Sequence, residues 1–247
     1  MTAYLFFAYF LLPFHFSGSI EAIEKNHQVT EIRIEIPQIQ FPPLTLLDTV
    51  PIYFESSAPM GGFDLKIESS SNAFFSIIDI IPGEFTDSCK WELFSARSSK
   101  ISDAKNNLIK VWKIVSLPEM IPDDVSPICR QLNHKSVLCR LILLVKKQES
   151  VIADLGEISF YWESCRDNVV SSESGKKLYI SKKVIDTSGK EIKTDPNFAG
   201  RNGPPENCIS KRSKDKLFRT VTFINGSLSR AIIDSSFFEA DTLSSKN

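Results

Sequence analysis

From residue 31 onward, short stretches with apolar residues at every second position recur, and no long segment sustains a period near 3.6. EIRIEIPQIQF (31–41) sets Ile against charged or amide residues in alternation, the pattern of a strand with one buried and one wet face. TVPIYFES (49–56), GFDLKIES (62–69) and AFFSIIDII (73–81) follow, parted by Pro, Gly and Ser clusters. The same reading expects strands in CKWELFSARS (89–98), NLIKVWKIVSL (107–117), SVLCRLILLVKK (136–147) and GEISFYWES (156–164). It continues through KKLYISKKVID (176–186), KEIKT (190–194), RTVTFING (219–226) and SRAIIDS (229–235). Asp186-Thr187-Ser188-Gly189 reads as a hairpin turn, because Gly admits positive φ at low cost. About ten short strands with turn signals every 8–12 residues or so imply a sandwich or barrel. The expected fold is all-β: a two-sheet antiparallel β-sandwich of jelly-roll type with a late hairpin insertion.

The first residues depart from this rhythm. Ala3 to Phe16 is almost unbroken apolar sequence, followed by Ser17-Gly18-Ser19 and the first acidic residue, Glu21. That is the layout of a secretory signal, and the run is shorter than the roughly 20 residues a spanning helix needs. The expected division is a signal peptide over 1–22, one sandwich domain over 23–235 and a C-terminal tail over 236–247. The expected location is secreted or at the cell surface. Contact with a membrane is expected only through the signal segment, if it is retained. With 29 basic and 30 acidic residues, the charge gives no reason to expect nucleic acid as a partner.

Export shapes the reading of the five cysteines, Cys89, Cys129, Cys139, Cys165 and Cys208. They are widely spaced and form no C-x-x-C, so two disulfides and a spare thiol fit better than zinc. Cys165 with Cys208 is the residue-level expectation, clamping the late hairpin.

Chemistry-bearing motifs are sparse. G-x-S-x-G, H-E-x-x-H, the P-loop and the dinucleotide fingerprint do not occur, so no nucleophile, base and orienter converge and an enzyme is not expected. DPNFAGRNGPPE (195–206) places Asp195, Asn197 and Glu206 at calcium-ligand positions of an EF-hand-like loop. Ala199 stands where a further oxygen ligand is wanted, and Pro196, Pro204 and Pro205 oppose helical flanks. No cofactor is therefore expected, with calcium at this loop as the weak exception. Among the aromatics, strand alternation sends Ile158, Phe160 and Trp162 to the core and Tyr161 to the other face. Trp91 and Leu93 share one side, leaving Phe94 on the other. Trp112, Tyr161 and Phe94 are thus the candidate ligand-binding rings, a platform on which a polysaccharide could stack.

DTVPIYFESSAPMGGFDLKIESSSNAFFSIIDIIPGEF (48–85) resembles the N-terminal half of cohesin-type modules, in which a strand of the V-P-I/V type leads to a Gly-Phe-Asp-Leu strand, a strand-breaking turn and a strand ending in Pro-Gly-Glu. Similarity to secreted bacterial modules of this kind extends through PGEFTDSCKWELFSAR (82–97), ISFYWESCRDN (158–168), LYISKKVID (178–186), PPENCI (204–209) and VTFINGSLSRAIIDS (221–235). The resemblance implies a non-catalytic sandwich that docks an extracellular protein, such as a dockerin-like one, on a sheet face. Carbohydrate-binding modules with related sandwiches supply the alternative, a polysaccharide partner.

Overall fold

The computed structural model describes residues 31–42, 45–70, 73–88, 91–102, 108–117, 132–146, 155–164, 166–193, 203 and 216–230. They form fourteen strands and one helical turn. The first strands are β1 (Ile32–Glu35), β2 (Ile39–Phe41), β3 (Leu47–Ser56), β4 (Met60–Ser69) and β5 (Phe75–Pro82). The turn α1 (Glu84–Ser88) precedes β6 (Leu93–Ser102), β7 (Leu108–Leu117), β8 (Leu132–Val145) and β9 (Leu155–Phe160). The last are β10 (Val169–Ser172), β11 (Lys177–Ile185), β12 (Glu191–Ile192), β13 (Lys216–Ile224) and β14 (Gly226–Arg230). None of the described helices is long and apolar enough to cross a membrane.

One hydrogen-bonded path runs β2-β14-β9-β4-β10-β11-β13-β1-β3-β8-β5, with β7 and then β6 leaving from β4 and β12 from β11. The path folds back on itself. Ile67, Trp112, Ile114 and Phe160 from one layer meet Val50, Ile52, Leu141, Leu143 and Phe223 from the other in one buried cluster. The fold is therefore all-β and two-layered, as the alternation requires. It is not purely antiparallel: β1–β13, β11–β13 and β14–β2 pair in parallel. Local sequence carries no signal for this, because it depends on where the chain returns.

Several element bounds differ from the expectation for identifiable reasons. The alternating stretch 31–41 splits into β1 and β2 at Pro37, which has no N–H to give a ladder. Ile36 N–H turns instead to Ile224 O at 3.0 Å. The segment expected as one strand over 89–98 begins its ladder only at Leu93. Ahead of it, Thr86 Oγ1 donates to Gly83 O at 2.9 Å and pins the α1 turn. Phe85 and Trp91 drop into the core from either side of that turn, with ring centroids 5.2 Å apart. Trp91 and Leu93 consequently do not share a face: Trp91 is buried and Leu93 exposed. The expected hairpin is present, with Gly189 at φ 83° and Asp186 and Lys190 closing the turn between β11 and β12.

Two glycines are demanded by close approach. Gly62 lies inside β4 at φ 147°, where β10 shifts register against it. A Cβ there would lie 2.7 Å from Leu117 Cδ2 and 2.9 Å from Ser116 O. At Gly226 a Cβ would lie 2.4 Å from Ile36 Cγ2 and 2.6 Å from Pro37 O. The neighbouring Asn225, part of an N-G-S glycosylation match, is itself buried and accepts the Phe160 N–H at 3.1 Å.

The edge of β4 shows how a short polar sequence organises the layer. β9 pairs with residues 67–69 of β4, and β10 with its earlier half up to Asp64. Lys66 falls in the gap between these two ladders. Its carbonyl accepts Tyr161 N–H at 2.9 Å, and its N–H goes to Asn168 Oδ1 at 2.7 Å. Asn168, fully buried at φ 54°, donates Nδ2 to Tyr161 O at 2.7 Å. Asp167 Oδ2 accepts Glu163 N–H at 2.8 Å and Ser164 N–H at 2.7 Å. Asn tolerates the left-handed region better than most residues, which suits the sequence RDN to this junction.

Candidate interaction face

From Ser136 onward β8 reads SVLCRLILLV, apolar on both sides. Leu141 and Leu143 point inward and are fully buried. Their alternates point outward across the sheet β3–β8–β5. Leu47, Leu144 and Ser76 lie in one cross-strand row, Thr49, Ile142 and Asp79 in the next, and Pro51, Arg140 and Ile81 in the third. A bulge between Ile77 and Asp79 adds Ile78 to the same surface. Leu47 is 61% exposed, Leu144 50%, Ile78 46% and Ile81 39%. Four large apolar side chains this open on three adjacent strands concentrate apolar surface on one sheet face, which scattered surface leucines do not.

Charge surrounds the patch. Arg140 pairs with Glu84 of α1. Farther along, Lys135 Nζ lies 3.0 Å from Glu35 and 4.2 Å from the centroid of the Tyr53 ring. Burial works to raise the Glu35 carboxyl, but its hydrogen bonds from Lys135 and Arg33 outweigh that and hold it below the usual carboxylate range. An apolar centre with a polar rim is the composition of a non-obligate protein interface.

The outer face of the opposite layer, β4–β7–β6, is different. Ile109, Val111 and Tyr161 form a small buried cluster there, with Ile101 packed against it. Beside it, Lys66 Nζ lies 2.5 Å from Glu163 and 3.0 Å from Asp167, and Lys113 lies 2.9 Å from Asp64. Burial pulls the Lys66 ammonium down, but its bonds to Glu163 and Asp167 outweigh this and hold it above the usual lysine range. Asp64 goes the other way: burial raises its carboxyl despite Lys113. These charges are spent on one another, as a structural network spends them.

The candidate rings do not form a platform, which corrects the expectation of a sugar-stacking row. Trp112 and Phe94 share the inward side of β7 and β6, with Trp112 buried and Phe94 half-buried against the core. Tyr161 belongs to the opposite side and is also buried. Alternation placed Tyr161 away from Trp162 correctly, but could not show that neighbours cover it. Of the cysteines, Cys139 is described and is a buried free thiol, pushed far up by its burial. Cys165 and Cys208, like Asp195, Asn197 and Glu206 of the calcium loop, lie outside the described residues. Among the described residues, no group of three or more His, Cys, Asp and Glu is placed to hold a metal. His134 is exposed.

Sequence reading passed over Leu47, Ile78, Ile81 and Leu144. The available signal was the apolar run in β8, which leaves its outward positions apolar as well.

No family model and no curated protein matches this chain. Solved structures that it resembles are cohesin modules. One is a type I cohesin from Clostridium thermocellum in a cohesin–dockerin complex, 14% identical at a TM-score of 0.44, covering 81% of this chain and 99% of that one. Another is a non-cellulosomal cohesin from Archaeoglobus fulgidus, 10% identical at a TM-score of 0.41, covering 85% and 97%. A third is the seventh ScaB type I cohesin from Pseudobacteroides cellulosolvens, 10% identical at a TM-score of 0.43, covering 83% and 94%.

Proposed function

We propose that the protein is a non-catalytic module, secreted or held at the cell surface, that docks a protein partner on the outer face of β3–β8–β5. The observation that carries this reading is the exposed apolar surface of Leu47, Leu144, Ile78 and Ile81 on one sheet face, interspersed with Arg140 and Asp79. Exposed patches of this kind, with charged rims, are where protein partners bind. A flat sheet face presents its side chains at fixed spacing, so a rigid partner can be matched without loop ordering. The sequence resemblance to cohesin-type segments points to a dockerin-like partner. Lys66, Asp167, Asp64 and Lys113 are engaged with one another, which fits a scaffold better than a catalytic centre.

The test is capture from the secreted fraction of the organism that makes the protein, using the immobilised full chain, with calcium and then with chelator. Leu144→Asp places a charge in the patch, and Arg97→Glu reverses one on the opposite face. A stoichiometric protein retained by the wild type and Arg97→Glu, and lost with Leu144→Asp, is the expected result. Loss with Arg97→Glu alone moves docking to β4–β7–β6 and overturns the assignment of the face. Retention of polysaccharide without protein overturns protein docking itself.

A further inference from the structure

Among the described residues, β2, β5, β12 and β6 are the strands paired on one side only. Three of these edges are blunted in ways that keep a sheet from adding a further strand. β2 has three residues and β12 two, while β5 carries the bulge between Ile77 and Asp79 and ends at Pro82. β6 is long and regular. Its ten residues pair with β7 from Leu93 opposite Leu117 to Ser102 opposite Leu108 without a register shift, and LFSARSSKIS contains no Pro. Antiparallel pairing turns about half of their N–H and C=O groups away from β7. No described group outside β7 hydrogen-bonds to the strand, and Arg97, Ser98, Ser99 and Lys100 are all exposed.

Only charge guards this edge, and that charge is unbalanced. Arg97 stands directly opposite Lys113, and Lys100 directly opposite Lys110. Like charges in such positions destabilise a ladder. Asp64 answers Lys113 at 2.9 Å, while Arg97 and Lys100 meet no carboxylate among the described residues. The two point to opposite sides of the strand, so the edge is positive on both. At its start lies an apolar pair: Leu93 and Leu117 face each other across the ladder, each 44% exposed. A second copy of β6 fits this edge poorly. Antiparallel self-pairing centred on any residue from Arg97 to Lys100 sets Arg97 or Lys100 opposite or diagonal to its own copy.

We infer that the outer edge of β6 takes up an extended segment of a second protein as an added strand, with acidic residues facing Arg97 and Lys100 and an apolar one facing Leu93. Main-chain bonds along the edge supply the attachment, and the carboxylates relieve the opposed cations. The spacing follows from β6 itself. The two carboxylates stand three residues apart on opposite sides of the added strand, and the apolar residue lies four beyond, on the Arg97 side. β6 belongs to the layer opposite β3–β8–β5, so this inference does not rest on the docking face.

The probe is a capped eleven-residue peptide of Thr and Val with Glu at its second and fifth positions and Leu at its ninth. Two companions carry Gln or Lys in place of both Glu. Each is titrated into the full-length ¹⁵N-labelled chain and followed by the amide shifts of β6. Saturable shifts with the Glu peptide, a midpoint about fivefold weaker with Gln and no saturation with Lys are expected. Arg97→Glu combined with Lys100→Glu should reverse this order in favour of the Lys peptide. Of two neighbouring residues in β6, one turns its N–H to β7 and the other to the edge, so Ser98→Pro and Ser99→Pro are both made. The one that keeps the native amide spectrum has lost an edge donor and should bind the Glu peptide about tenfold more weakly. If neither folds, the charge-reversed variant decides. Leu144→Asp should leave the titration unchanged, which separates this edge from the outer face of β3–β8–β5. Equal binding of the three peptides, shifts confined to residues away from β6, undiminished binding by a folded Pro variant, or no saturable binding overturns the inference. So does a peptide-free dimer that shifts the β6 amides with concentration, since it assigns the edge to a second copy.

Discussion

Asn168→Ala is the sharpest probe of how this sandwich is assembled. Asn168 spans the gap where β4 passes from β9 to β10, serving Lys66 N–H and Tyr161 O with bonds of 2.7 Å each, and it has no exposed surface. Alanine removes both partners at once and leaves a buried backbone donor and a buried acceptor, at about 1–3 kcal/mol each. It must also hold φ near 54°, where a Cβ without a polar side chain adds about 1 kcal/mol or more. The two losses share one site and do not add fully, so the expected destabilisation is about 4 kcal/mol. Asn168→Asp keeps the acceptor for Lys66 but turns a carboxylate oxygen toward Tyr161 O. Its loss should be at least as large at neutral pH, because a fully buried carboxylate would face a carbonyl oxygen with no cation to pair it. The loss should shrink on acidification, because a protonated carboxyl can donate. The assay is urea unfolding of the full chain, followed by far-ultraviolet circular dichroism at pH 7 and pH 4. A loss under about 1 kcal/mol for Asn168→Ala with an unchanged m-value would refute the reasoning. It would mean that the junction finds other partners for its backbone groups.

Two further outcomes are expected. The folded-state Glu35 carboxyl lies below its unfolded value, so its contribution is present above the unfolded pKa and is lost as pH falls through the folded one. Glu35→Gln should therefore lower stability by a constant amount at neutral and alkaline pH and flatten the acid limb, so that the two profiles converge at low pH; a parallel shift at all pH values would contradict this. Cys139, fully buried with its thiol raised, should resist alkylation at pH 8 in the native protein and react once urea passes the unfolding midpoint. Peptide mass spectrometry reads this directly, and rapid native labelling would show that the β3–β8 ladder opens.

The sequence by itself determined that this chain is built from strands, and which side of most of them is buried. Ile32, Ile34, Leu65, Ile67, Ile158, Phe160 and Trp162 were legible because period-two alternation survives any choice of partner strand. The Asp186–Gly189 turn was legible because its chemistry is local. What only the tertiary structure decided is long-range. The parallel seating of β13 between β1 and β11 depends on the path of the returning chain, and local residues do not encode it. Counting from Trp91 misplaced Leu93 and Phe94, because the β6 ladder begins only at Leu93 and Trp91, buried as expected, lies outside it. The candidate face was hidden for a related reason. A run such as LILLV states that both sides of β8 are apolar, but not that one side is left without a covering layer. Only the three-dimensional arrangement shows Leu47 and Leu144 open to solvent while Leu141 and Leu143 lie in the core.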